Sequence, residues 1–342
     1  MKSPHRARHE RRAVRDGKTA RVSARNARLE AQEVVGDRFE ARVLEPSPPA
    51  VVDGEWLADD PVAVEDAVRS RPVVSPVPSG DLSWDEWLGT RPEHVAWVAA
   101  RWLGAYRRLP APPPTLVETR LALHRLAVYV VSPARRRGNG KLGLRWTLDG
   151  FGTPFFGADE QVRVAGTRLV RQQGEAAKAE PITTLANAAA LALDGPPDVD
   201  GAAEFDVPVV GDLDEELAID PVSAAFLGEW YGFAYSVLEE LRADRESVEA
   251  TRVQLWPEHF DAAFDCLPAD RRATFGFSPG DAAVADPYVY VLPRHIDDAS
   301  RLLWNAQSFP GAILLLSELA TAPDPRAAAM QFLRERHAAL RA

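Results

Sequence analysis

His259, Asp261 and Asp281 are the residues whose types and spacing point most directly to chemistry. The first two lie in Trp256-Pro257-Glu258-His259-Phe260-Asp261, which reads as the entry to a strand over 259–266. Alternation along that strand puts His259, Asp261 and Asp265 on one face and Phe260, Phe264 and Cys266 on the other. Neighbours on one strand face are about 6.5–7 Å apart at Cα, so long side chains there can meet on one water or ion. Ser278-Pro279-Gly280-Asp281 has Pro and Gly where a type II turn takes them, and such a turn can deliver Asp281 to the same place. The chemistry would be a His/carboxylate site, with His259 as base or ligand and the two aspartates orienting it or sharing the ion. The commoner outcome for such residues is a set of hydrogen-bonded structural groups, because one His with carboxylates lacks the specificity of a metal centre. Glu258 reads as solvent-facing.

Trp256, Tyr288, Tyr290 and Asn305 are the further candidates for a pocket wall at this place. Aromatics at strand spacing are more often core or cross-strand pairs, although Tyr and Trp carry a polar handle suited to ligands. Asn305 reads as a turn residue first and a donor second. Arg120 and His124 form a separate candidate, an anion site on the apolar face of a helix over about 116–132. A buried Arg needs a carboxylate, for which Glu229 is a candidate, or an anionic ligand. Arg135 to Lys141 resembles a phosphate loop but has Arg135 where a Walker A loop needs Gly and Leu142 where it needs Ser or Thr, so it reads as a basic turn. Gly150-Phe151-Gly152-Thr153-Pro154 reads as a tight loop. H-E-x-x-H is absent from the sequence, which names no cofactor and no metal set.

The elements that must position these residues read as an α+β fold, an antiparallel sheet packed against helices with a flexible basic N-terminal arm. Thr115 and Glu118 have the spacing of a capping box before the 116–132 helix. Leu142, Leu144, Trp146 and Leu148 alternate as a half-buried strand, and Val162 and Val164 repeat the pattern before a Gly166-Thr167 hairpin turn. A helix follows over 184–193. Asp220-Pro221 starts another that runs to about Arg242 and is apolar over much of its circumference. Strands are expected near 251–256, 259–266, 272–278 and 287–292, then helices opened by Pro310 and by Asp324-Pro325.

Three stretches precede or interrupt this body. Residues 1–43 form the basic arm, with ten Lys/Arg against Glu10 and Asp16 in residues 1–29, inside a chain of net charge −10. Residues 44–82 are a Pro-rich extended lead-in, and 83–342 is the main body, opening with a helix that carries Trp84, Trp87, Trp97 and Trp102. Residues 194–219 hold nine acidic residues and no Lys or Arg, and leave an internal boundary open there. Arg so outnumbers Lys (only Lys2, Lys18, Lys141 and Lys178) that the composition points to a GC-rich bacterial genome. The single cysteine, Cys266, excludes an intrachain disulfide framework and fits a reducing, cytoplasmic setting. No 18-residue apolar run and no apolar segment behind the N-terminal charges occur, so neither a membrane span nor a secretory signal is expected.

Val43-Leu44-Glu45-Pro46-Ser47-Pro48-Pro49-Ala50, the Gly150–Pro154 run, Trp256–Asp261 and Ser278–Asp281 together resemble a family of conserved hypothetical proteins from high-GC bacteria. That resemblance covers most of the chain after residue 40 and implies one continuous architectural unit in a bacterial cytosol. The family has no assigned activity, so no catalytic residue is carried over. The expected function is a soluble ligand- or partner-binding protein. The alternatives are a hydrolase-like enzyme using His259, Asp261 and Asp281, and a nucleic-acid-associated adaptor held by the arm. The expected partner is a small molecule, or an acidic partner of the arm. Nucleic acid is disfavoured because residues 1–35, the Arg-rich part of the arm, have no Trp, Tyr or Phe to stack on bases.

Overall fold

The run from Pro221 to Arg242 is apolar on nearly every side, and a helix of that kind must be covered on every side. The computed structural model describes residues 109–342 apart from 148–149, 155, 157–159, 174–175, 203–206, 243 and 297–300, together with strands β1 (Arg42–Val43) and β2 (Ala63–Val64). These two short strands pair antiparallel. The rest of the basic arm and of the Pro-rich lead-in, and the expected helix with Trp84, Trp87, Trp97 and Trp102, lie outside the described residues.

The architecture is α+β, with two five-stranded antiparallel meanders. The first has the order β3 (Arg145–Thr147), β4 (Gly150–Gly152), β5 (Glu160–Ala165), β6 (Arg168–Gln173), β7 (Ala176–Pro181). The second, also in chain order, has β8 (Gln254–Trp256), β9 (Asp261–Cys266), β10 (Ala273–Ser278), β11 (Tyr288–Pro293) and β12 (Ala312–Leu315). The inner edges of the two sheets touch through one bridge. Leu144 and Leu255 exchange backbone hydrogen bonds of 2.7 and 2.8 Å.

Seven α-helices accompany the sheets among the described residues, with a π turn and a short 3-10 helix (Arg301–Leu303). The first helix, α1 (Leu116–Leu126), runs through a π-helical turn (Ala127–Val131) into α2 (Ser132–Asn139), which ends at Gly140. The next are α3 (Leu185–Leu193), α4 (Val199–Ala202) and the central α5 (Pro221–Arg242). The last two are α6 (Leu316–Leu319) and α7 (Pro325–Arg341).

Helix α5 packs on both sheets, on α1 and on α7. Trp146, Phe151, Val162, Val164 and Leu169 bring the first sheet's inner face into the core, and Leu255, Phe264, Phe275, Phe277, Val289 and Val291 bring the second's. Two buried indoles fasten these layers as well as filling them. The Trp230 Nε1–H donates to the Ser278 carbonyl at 3.1 Å, and the Trp146 Nε1–H donates to the Gly228 carbonyl at 3.1 Å. Asp220 caps α5 by accepting from the Ser223 amide at 2.9 Å, and Asp324 caps α7 from the Ala327 amide at 3.0 Å.

Several local expectations give way to tertiary contacts. The Thr115 hydroxyl does not cap α1; it pairs with the Ser223 hydroxyl at the start of α5, 2.9 Å away. Residues 135–139 are helical, not a loose basic turn, and Arg135 is buried with its guanidinium on the Gly143 carbonyl. Gly150 to Gly152 is strand β4, where Gly152 leaves room for the β5 backbone at Val162 and Arg163 that a side chain would occupy. Pro310 lies in the bend before β12 and opens no helix, because residues 312–315 complete the second sheet against β11.

The acidic stretch 194–219 is stitched to the first helix. Arg136 pairs with Asp198, Arg125 holds the Val210 carbonyl, and the Asp198 amide donates to the Tyr129 carbonyl in the π turn at 2.9 Å. Among the described residues no helix is long and apolar enough to cross a membrane.

Trp230→Ala removes both a large core side chain and the fastening of α5 to β10. A loss of about 3–5 kcal/mol is expected, read as a lower urea midpoint with an unchanged slope.

Candidate functional site

The run Trp256–Asp261 is a turn between β8 and β9, and its two polar arms lie in different places. The strand begins at Asp261, later than expected, because Phe260 takes a left-handed conformation with φ 55°. That geometry is unfavourable for a bulky residue and is held here by packing. The Phe260 ring stacks on His124 at 5.1 Å and meets Phe151 and Tyr231 edge-on at 5.0 and 5.6 Å. Its carbonyl accepts from the Tyr231 hydroxyl at 2.8 Å. Sinking Phe260 sends Glu258 to one side of the turn and Asp261 to the other.

On Asp261's side lies the outer face of the second sheet. The register places Gln254, Ala263, Gly276, Tyr290 and Ile313 in one row across the strands. Trp256 stands opposite Asp261, and Tyr288 stands between Ser278 and Leu315, in the next row. The Tyr290 ring crosses β10 diagonally so that its hydroxyl donates to Asp261 Oδ2. It can do so because residue 276 is Gly: a Cβ there would lie within contact distance of the ring and its hydroxyl. Tyr288 donates to Asp281 Oδ2 at 2.7 Å, and the two tyrosine rings meet edge-on at 6.1 Å. Phe309 extends the aromatic row beyond Tyr290, at 6.2 Å.

Asp261 is the unusual group here. It is 5% exposed, and its Oδ1 has no hydrogen-bond partner. Burial pushes its carboxyl up to about 6, against the opposing pull of His259 and of the Tyr290 hydrogen bond. The tyrosines respond in kind: burial, with the neighbouring carboxylates, raises Tyr288 and Tyr290, so both remain phenols.

The structure brings Trp256, Asp261, Tyr288 and Tyr290 to one face, with Asp281 at its end. It does not join His259 to Asp281. His259 is exposed in the turn, while Asp281 accepts the Ala283 and Val284 amides at 2.7 Å as well as the Tyr288 hydroxyl. Asn305 neither turns the chain nor lines this face. Its amide brackets Ile313 of β12, donating to the carbonyl at 3.0 Å and accepting from the amide at 2.9 Å.

Arg120 and His124 point into structure. The Arg120 guanidinium donates to the Pro279, Ala285 and Asp281 carbonyls at 3.1, 3.2 and 3.3 Å, with the Asp281 charge as its electrostatic partner. His124 donates Nε2–H to the Pro257 carbonyl at 2.9 Å, and burial lowers its pKa to about 4, so it is neutral.

On Glu258's side the turn closes a cleft against the π turn. Glu258 is buried, not solvent-facing, because the chain folds back over α2. Val128, Ser132, Pro133, Arg136, Leu142 and Ala202 make most of the remaining wall. The cleft measures about 300 Å³ with its open mouth, and about 20 Å³ of that admits the centre of a water-sized group. Sequence reasoning missed this site. The signal available was the run Val128-Tyr129-Val130-Val131, β-branched and bulky in mid-helix, where an α-helix is least comfortable.

Among the described residues no three or more metal-ligating side chains are gathered to hold an ion. Compared with protein-family models, with curated proteins and with solved structures, the chain matches none.

Gly276→Ala should displace Tyr290 and cost about 1–3 kcal/mol, and the Asp261 carboxyl resonance in ¹³C NMR should shift with it. The raised Asp261 pKa means the folded state binds this proton more tightly than the unfolded chain. Its favourable contribution is complete below about pH 4 and is lost as pH rises through about 6. His124, held neutral, gives the opposite slope over the same window. Comparing variants isolates Asp261: relative to wild type, Asp261→Asn should be more stable at pH 8 than at pH 4.5, by denaturant titration at both.

Proposed function

We propose that the protein is a bacterial cytoplasmic ligand-binding protein that performs no chemistry of its own, with a small molecule entering the cleft between the π turn and the 257–260 turn. The observation that carries this reading is the cleft itself, a mostly apolar opening with the buried carboxylate of Glu258 in its wall. Such a wall suits an end group that is compact and largely apolar, with the Glu258 carboxylate and the Arg136 guanidinium as its polar contacts; the rest of the ligand would lie in the open mouth. The π turn supports the reading, since irregular helical turns of this type are frequent at functional sites.

A hydrolase-like reading has less behind it. Its base, His259, and its partner Asp281 are not hydrogen-bonded to each other; one oxygen of Asp281 is taken by the Ala283 and Val284 amides of its turn and the other by the Tyr288 hydroxyl. Cys266 offers no nucleophile, because burial pushes its thiol up to about 12. That inert thiol is in keeping with a reducing compartment.

Screening a metabolite set by thermal shift should find ligands that raise the midpoint of the wild-type chain. Val128→Trp, which fills the cleft, should abolish the rise, and Glu258→Gln should weaken binding at least about tenfold for ligands with a donor group. Ligands that bind Val128→Trp as well as wild type would rule the cleft out.

A further inference from the structure

We propose that the outer face of the second sheet holds a second binding site, for an organic cation, in which Asp261 receives an ammonium or guanidinium group between Trp256, Tyr288 and Tyr290. The site is independent of the cleft and lies across the 257–260 turn from it.

The first support is the carboxylate. Asp261 is 5% exposed, its Oδ2 is held by Tyr290, and its Oδ1 has no partner. A buried carboxylate left in this state is costly, and only a proton, a hydrogen-bond donor or a cation relieves it. Tyr290 supplies one donor and leaves the other oxygen open.

The second support is the wall. Trp256 stands directly opposite Asp261 in the register, and Tyr288 and Tyr290 meet edge-on on the same face. Trp256 and Tyr290 are half-buried, so their rings are reachable from solvent. Aromatic rings around a carboxylate attract cations by the negative potential of their faces as well as by charge. Gly276 lets the Tyr290 ring lie close over β10 and reach the carboxylate from the side of the wall.

The third support is selectivity by class. A single carboxylate with neutral phenols is a poor set for a divalent metal, which takes several oxygen or nitrogen ligands. It suits a monovalent organic cation. The charged and titratable groups acting on Asp261 are Glu258, His259 and the hydroxyl of Tyr290, with Tyr288 and Tyr231 nearby as neutral phenols. Binding should therefore need the ionised carboxylate and weaken as pH falls below about 6.

The cation can come from a free amine or from a basic side chain of a polypeptide, and the test separates them. The full chain is melted at pH 7.5 with butylammonium, butylguanidinium, 1-pentanol as neutral control, or NaCl at equal ionic strength. A peptide of the sequence of residues 1–29 is assayed in parallel. The cations should raise the midpoint by roughly 2–5 °C at about 20 mM, and the alcohol and salt should not. Asp261→Asn should remove the rise, while Val128→Trp, which blocks the cleft, should keep it. Saturation by the peptide at lower concentration than the amines identifies a polypeptide side chain as the ligand; response to the amines alone identifies a free amine. No rise above the salt control, or a rise that survives Asp261→Asn, overturns the proposal. Should Asp261→Asn fail to fold, the carboxyl ¹³C titration of wild type decides. Its midpoint should fall by about one pH unit with saturating butylammonium, and an unchanged midpoint overturns the site.

Discussion

A helix that is apolar around most of its circumference tolerates water on none of its long sides, and α5 is such a helix. One sheet cannot surround it. Two sheets, meeting at the Leu144–Leu255 bridge and each giving its inner face to α5, cover most of it, and α1 and α7 cover the rest. The arrangement uses up the inner faces of both sheets. What remains for binding is the outer face of a sheet or a seam where an element folds back, and both candidate sites are of those kinds.

The 257–260 turn is where these layers communicate. Phe260 is drawn into the core by Phe151, Tyr231 and His124, and its left-handed backbone is the geometric result. Once it is fixed there, its neighbours diverge: Glu258 joins the wall against the π turn and Asp261 goes to the sheet's outer face. A neutral His124 fits this role, because a charged imidazole stacked beneath Phe260 would cost desolvation energy. Core packing thus positions the polar groups, and their electrostatic strain follows from where the packing puts them.

Much of this architecture was legible in the sequence, for identifiable reasons. The Asp220-Pro221 start, the apolar periodicity of α5 and the alternation around Trp146 and Val164 are local signals that tertiary packing reinforces. Thr115 and Pro310 misled because their partners are distant in sequence: Ser223 claims the hydroxyl of one, and β11 claims the strand after the other. Four of the candidate site residues share a face because strand alternation is a dependable rule once the strand is right. The supposed His259–Asp281 pair depended on the path of the turn, and nothing local to His259 reports that Phe260 is buried. Likewise the burial of Glu258 is decided by α2, more than a hundred residues earlier.

The two outer margins of the sheets are each closed in their own way. At β12 the Asn305 side chain occupies both hydrogen-bonding groups of Ile313, as a neighbouring strand would. At β7 the Lys178–Glu180 ion pair sits on the margin and Pro181 ends it with a residue that has no amide to give. With the inner edges joined to each other, the ten-stranded assembly offers little template for another chain to extend. A protein built from two open meanders is thereby guarded against fibrous self-association when concentrated, and its visitors are directed to its faces and seams.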